Sequence, residues 1–150
     1  MLLDVVFAFL HFVFLLIMVG ALVAEAFVLR LPPSAASLRL LARADAFYGG
    51  SAGLLIAAGL GRVFWGAKGP DYYWAEPFFW AKMAGFLVIG LLSIPPTLRF
   101  LAWRRALAKD ASFVPPPEQL KAAKRYVMIE LHILPLLILF AVLMARGVRF

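Results

Sequence analysis

The sequence predicts an all-α integral membrane protein, folded as a single four-helix bundle. Hydrophobic residues make up 65% of the 150 positions. Mean hydropathy is +0.93. Four long apolar runs are separated by short segments rich in proline, lysine and arginine. A soluble core of this size cannot absorb so much apolar surface, whereas a lipid bilayer can.

The first two predicted helices cover residues 3–29 and 44–63. Pro32 and Pro33 end the first helix, because proline lacks the backbone N–H that a helix interior needs. This run is too long for a signal-peptide core, and no lysine or arginine precedes it, so we expect it to be retained. Residues 34–43 form a short amphipathic stretch before the second helix.

The last two predicted helices cover residues 77–101 and 118–145. Pro77 suits a first helical turn. Pro95 and Pro96 are expected to kink or break the third helix. The basic amphipathic segment beyond them is then expected to leave the bilayer and lie along its surface.

The cationic residues predict a topology. Ten of the fifteen lysines and arginines follow the first and third helices: Arg30, Arg39, Arg43, Arg99, Arg104, Arg105, Lys109, Lys121, Lys124 and Arg125. Since such residues concentrate on the cytoplasmic side, we expect a multi-pass protein of the bacterial inner membrane with both termini outside. The net charge of +7 is therefore attributed to topology and anionic lipids, and nucleic acid is excluded as a partner.

Ionisable residues inside membrane spans are costly and therefore mark candidate sites. Six such residues are the main candidates: His11, Glu25, Lys82, Arg99, Glu130 and His132. The rise per helical residue places His11, Lys82 and His132 in the outer half of the bundle. Facing helices of such bundles build metal and cofactor sites, so the two histidines are candidate metal ligands. Alternatively, Lys82 snorkels to the head groups and the histidines make ordinary packing contacts.

Two of the six candidates are glutamates. Glu25 is expected at the height of Arg43, Asp45 and Arg99, which predicts a salt-bridge cluster that locks helices together. Glu130 points about 200° away from His132 around its helix, so the two do not share a face. A buried carboxylate of this kind suits either a proton relay or a structural ion pair.

Small residues recur every four positions along the second helix, at Gly49, Gly53, Ala57 and Gly61. Such a ladder lets another helix approach closely. The alternative is a flat face for a cofactor. The absence of cysteine excludes iron–sulfur clusters, zinc–thiolate sites and covalently attached haem.

Nearly the whole chain resembles a family of bacterial four-helix membrane proteins known as a domain of unknown function. The resemblance is carried by LHFVFLLIMVGALVAE (10–25), LARADAFYGGSAGLLIAAGLGRVFWGAKG (41–69), FWAKMAGFLVIGLLSIPPTLRFLAWRR (79–105) and LPLLILFAVLMARG (134–147). It implies the four-helix fold and supplies no activity.

A more distant resemblance is to the HemJ-type protoporphyrinogen IX oxidases, small membrane proteins that bind b-type haem. Leu10–His11 resembles their early leucine–histidine pair, and Trp80–Ala81–Lys82 resembles their tryptophan–lysine element with one residue fewer. Glu130 through Pro135 resembles their acidic residue before a proline, with a longer gap. The resemblance implies that His11 is a haem ligand and Lys82 a functional residue nearby.

These observations predict a membrane protein that binds haem b and has a redox role. His11 and His132 would be iron ligands, and Lys82 and Arg62 would also contact the cofactor. An activity of the protoporphyrinogen oxidase type would use Lys82 and Glu130, with a porphyrin substrate and a quinone as acceptor. The alternatives are a small proton-coupled transporter, acting as a homo-oligomer, and a non-catalytic accessory membrane subunit.

Overall fold

The computed structural model describes residues 2–148 and confirms the all-helical class. The helices are α1 (Leu2–Val28), α2 (Ala35–Trp65), α3 (Gly69–Trp74), α4 (Pro77–Lys109) and α5 (Pro117–Ala145). Short connections make consecutive long helices antiparallel neighbours. We call the end with the α1–α2 and α4–α5 connections the basic end, and the opposite end, which holds α3, the aromatic end.

The four long helices form one bundle with a lipid-facing exterior. Helix α1 packs mainly against α2 and α4 packs mainly against α5, while contacts of α2 with α4 and of α1 with α5 close the ring. All four are long and apolar enough to cross a membrane. Large apolar side chains cover the outside, for example Leu16, which is 76% exposed, and Phe47, which is 67% exposed. Lipid is the solvent that such a surface requires.

Helix α2 begins at Ala35, so the predicted start at residue 44 and the separate stretch 34–43 were wrong. Ser34 caps the helix: its hydroxyl accepts the Ser37 N–H at 3.1 Å, and the Ser37 hydroxyl accepts the Ser34 N–H at 2.9 Å. This reciprocal capping satisfies amides that have no partner within the helix. Leu38 and Leu41 are buried in the core, so these first turns belong to the bundle.

Helix α4 continues through Pro95 and Pro96 to Lys109, so the predicted end at residue 101 was also wrong. The two prolines do not break the helix, and a kink at this point stays a prediction. The residues beyond the prolines do not lie on the membrane surface. Phe100 and Trp103 are buried in the core, and the Trp103 indole donates to Gln119 Oε1 at 2.9 Å. Packing against α5 therefore sustains the helix. Its 33 residues span roughly 50 Å, well over the ~30 Å of a bilayer core.

The aromatic end is held together by ring contacts. The segment between the second and third predicted helices contains the short helix α3. The rings of Trp74 and Trp80 stack at 5.6 Å between centroids. The Tyr72 hydroxyl donates to the Met144 carbonyl at 2.7 Å and fixes α3 to the end of α5. Tryptophan and tyrosine favour the membrane–water interface, which fits this position.

Candidate functional site

Three carboxylates from three helices are buried in the half of the bundle near the basic end. Within residues 2–148, no three acidic or histidine side chains are arranged as the ligands of one metal ion. Glu25 of α1, Asp45 of α2 and Glu130 of α5 are 2%, 7% and 1% exposed. They are close enough to act on one another electrostatically. We call Glu25, Asp45 and Glu130, with the hydroxyls of Tyr48 and Thr97, the acidic cluster. Burying several negative charges in a dry interior is costly, so this grouping calls for protons or a cation.

Two hydroxyl donors position the acidic cluster. The Tyr48 hydroxyl donates to Glu130 Oε2 at 2.7 Å, and the Thr97 hydroxyl donates to Asp45 Oδ1 at 2.6 Å. Oε1 of Glu25 and Oε1 of Glu130 are buried and have no hydrogen-bond partner. The cluster therefore retains buried acceptor atoms that can take a proton or another donor.

The acidic cluster has no cationic partner among residues 2–148, so the predicted salt-bridge cluster was wrong. Arg43 lies exposed on the surface of the bundle. The Arg99 guanidinium lies over the Tyr126 ring, 5.9 Å from its centroid, and its Nη1 is buried without a partner. Similar depth in the membrane was therefore not enough to predict which charged side chains pair. The direction in which each side chain points around its helix also decides the pairing.

His11, Arg62 and Lys82 come together in the half near the aromatic end. Lys82 and Arg62 both act electrostatically on His11, and Arg62 acts on Lys82. His11 Nδ1 lies 3.2 Å from the Leu55 carbonyl oxygen on α2. Arg62 Nε is buried without a partner. Three of the four predicted cofactor-binding residues therefore form one group, which we call the cationic cluster.

Glycines of α2 let α1 approach this group. A Cβ at Gly59 would lie 3.3 Å from the His11 ring, and a Cβ at Gly61 would overlap the Phe7 ring. By contrast, a Cβ at Gly49 or Gly53, two other members of the predicted small-residue ladder, would meet nothing within 4 Å. Only one end of the ladder therefore brings a side chain of another helix close to α2.

The remaining predicted site residues lie apart from His11. His132 is exposed on the surface of α5, and its Nδ1 is 2.6 Å from the Met128 carbonyl oxygen of its own helix. Glu130 belongs to the acidic cluster, whereas Lys82 belongs to the cationic cluster. The structure thus separates the two residues predicted to act together in catalysis. The pairing of His11 and His132 as metal ligands stays a prediction.

The side chains of the cationic cluster suit part of the contacts that a haem would need. A histidine whose Nδ1 faces a backbone carbonyl, as in His11, keeps Nε2 available for iron. Arg62 and Lys82 are suitable partners for propionates. Of the nearby aromatic side chains, Phe79 is buried, whereas Phe9, Phe12 and Trp80 are 65%, 62% and 51% exposed and face outwards.

An apolar layer separates the two clusters. It consists of Met18, Leu55, Ile89 and Leu137, one buried residue from each long helix. On α1, Met18 lies midway between His11 and Glu25, which are roughly 21 Å apart along the helix. The two halves of the bundle therefore carry buried side chains of opposite charge type, with buried apolar side chains between them.

Sequence reasoning missed Tyr48 and Thr97. Asp45 and Tyr48 are three residues apart and so share a face of α2, which was a usable signal. It went unnoticed because α2 was predicted to begin at residue 44, which placed Asp45 at a helix end. Nothing in the sequence singled out Thr97.

Comparison with known proteins gives the family. No curated protein and no solved structure matches the chain. A family model described as "Predicted membrane protein (DUF2214)" matches residues 3–149. With nearly its whole length matched, and with four helices suited to a bilayer, the chain belongs to the DUF2214 family of membrane proteins.

Proposed function

We propose that this protein is a proton-coupled membrane carrier for a cation, with the acidic cluster as its binding site. The observation that carries the proposal is the burial of Glu25, Asp45 and Glu130 together without a cationic side chain among the residues described. Intramembrane carboxylates of this kind are typical of proton relays and ion pathways.

Coupling follows from competition for the same oxygens. A carboxylate that holds a proton cannot also neutralise a cation, so binding of one displaces the other. Tyr48 and Thr97 each hold one carboxylate by a hydrogen bond, which keeps the site formed in either state. The apolar layer closes the path towards the aromatic end, so transport requires the helices to move.

The test uses proteoliposomes that contain a pH-sensitive dye. Addition of sodium, potassium or an organic ammonium ion outside should change the internal pH for the cation that is exchanged. Glu25→Gln and Glu130→Gln each replace a proton-binding group with an amide of the same shape, so we expect exchange to fall at least about tenfold.

The matched control is Glu118→Gln, which neutralises an exposed glutamate at the start of α5. It should retain the wild-type rate. Equal loss in all three variants, or wild-type protein that exchanges none of the cations, would contradict the carrier proposal.

A redox function is the second candidate, favoured by the cationic cluster. His11 would supply one axial ligand to haem b, Arg62 and Lys82 would pair with propionates, and the haem would supply one-electron chemistry. A quinone or a porphyrin would then be the partner. His132 lies on the surface of α5, so it offers no interior side chain for the second ligand position.

Visible spectra distinguish the two candidates. A haem protein purified in detergent would show a Soret band that shifts on reduction with dithionite, and His11→Ala would lose it while His132→Ala would keep it. A colourless protein that takes up no added hemin would exclude the redox function and leave the carrier.

A further inference from the structure

A second site lies at the basic end, on the surface between α2 and α4. It is a groove of about 370 Å³, within the size range of ligand pockets. Two helices form its walls, and its lining residues are Arg39, Ala42, Arg43, Arg104, Leu107 and Ala108. It is separate from the acidic cluster and does not depend on the carrier proposal.

The groove concentrates positive charge. Arg39 and Arg43 are one turn apart on α2 and face Arg104 on α4 across the groove. Within residues 2–148, none of the three makes a hydrogen bond or ion pair with another side chain. Guanidinium groups present a planar fork of donors that matches phosphate oxygens, so converging unpaired arginines favour a phosphate ligand.

The position of the groove favours a lipid as the source of that phosphate. Arg43 lies two residues before the buried Asp45, at the edge of the apolar span. Phe47, one turn further into the span on the same face as Arg43, is 67% exposed. Ala42 and Leu107 give the groove an apolar base, since both are buried. A head group in the groove would leave its acyl chains against the lipid-facing surface beside Phe47.

We infer that the groove formed by Arg39, Arg43 and Arg104 binds the phosphate of an anionic phospholipid. Basic pockets between transmembrane helices are suited to such head groups. The lipid would bridge α2 and α4, which belong to different helical hairpins of the bundle. Binding should therefore stabilise the contact between the two hairpins.

The experiment measures lipid binding by the detergent-purified full chain. Phosphatidylglycerol is titrated in mixed micelles, with phosphatidylcholine as the zwitterionic reference, and the thermal unfolding temperature is the second readout. Wild-type protein should bind phosphatidylglycerol selectively and unfold at a higher temperature in its presence. The triple variant Arg39→Gln, Arg43→Gln and Arg104→Gln should bind at least about tenfold more weakly.

The matched control removes the same charge elsewhere at the basic end, with Lys121→Gln, Lys124→Gln and Arg125→Gln on α5. These three side chains are exposed and lie outside the groove. The control variant should bind phosphatidylglycerol with an affinity within about threefold of wild type, because it removes only the non-specific attraction between the basic surface and anionic lipid. Equal weakening in both triple variants would overturn the site.

Two further results bear on the assignment. If the triple groove variant does not purify as a single species, Arg104→Gln alone should weaken binding about fivefold, and no change would overturn the site. Inorganic phosphate at millimolar concentration should not displace the lipid. Displacement by inorganic phosphate, with an equal shift in unfolding temperature, would overturn the lipid assignment in favour of a free anion.

Discussion

At the scale of single residues, the acidic cluster depends on hydroxyl donors. Glu130 is 1% exposed, and within residues 2–148 its carboxylate accepts one hydrogen bond, from the Tyr48 hydroxyl. A carboxylate oxygen inside a membrane has few other hydrogen-bond donors, since water is largely excluded. Tyr48 therefore fixes the position of Glu130 and stabilises the contact between α2 and α5.

We predict that Tyr48→Phe lowers the free energy of unfolding by about 0.5–1.5 kcal/mol, the range for a hydrogen bond between membrane helices. Unfolding by denaturing detergent would measure it. Tyr126→Phe is the control, because the Tyr126 contact with Arg99 is made by the ring, which phenylalanine keeps. Equal effects of the two variants would show that the Tyr48 hydrogen bond adds no stability.

At the scale of helices, close approach of α1 to α2 occurs at Gly59 and Gly61. The Phe7 ring lies directly over Gly61, and it also stacks on Trp65 at 6.0 Å between centroids. A side chain at Gly61 would push Phe7 away and separate the helices near His11. The packing of α1 on α2 is thus linked to the position of the cationic cluster.

We predict that Gly61→Ala lowers the free energy of unfolding by about 1–3 kcal/mol, because an extra methyl group overfills a packed contact. Gly53→Ala should instead raise it by about 0.4–1 kcal/mol, because nothing lies near its Cβ position and alanine restricts the unfolded chain. Thermal unfolding in detergent would measure both. A stabilising Gly61→Ala would contradict the contact with Phe7.

At the scale of the whole molecule, the bundle divides into a basic end and an aromatic end. Lysine and arginine are concentrated around the α1–α2 and α4–α5 connections, while tryptophan and tyrosine are concentrated in and around α3. The orientation in the membrane remains a prediction from the cationic residues, with both termini and α3 outside.

The absence of cysteine makes that orientation simple to measure. We predict that Ala67→Cys, before α3, reacts with a membrane-impermeant maleimide in intact cells. Ala111→Cys, between α4 and α5, should react only after the membrane is permeabilised. Both alanines are exposed, so each should be labelled in detergent. The reverse pattern would show that the chain is inserted the other way.

The membrane class, the four spans, the two ends of the bundle and the ionisable residues inside it could all be predicted from the order of the amino acids. Long apolar runs and charge asymmetry are local properties, so no tertiary information was required. The depth argument also placed His11 near Lys82, but it included His132 as well, which lies on the surface.

Tertiary packing decided which polar side chains lie together inside the bundle. Packing brought Glu25, Asp45 and Glu130 together, directed Arg99 towards Tyr126, and left His132 on the surface. It also extended α2 and α4 beyond their predicted ends, through contacts of residues such as Trp103. A membrane helix is apolar on nearly every side, so its sequence carries no stripe that specifies the buried face. Contacts with the other helices set the rotation of each helix about its own axis. This rotation determines which side chains form the site.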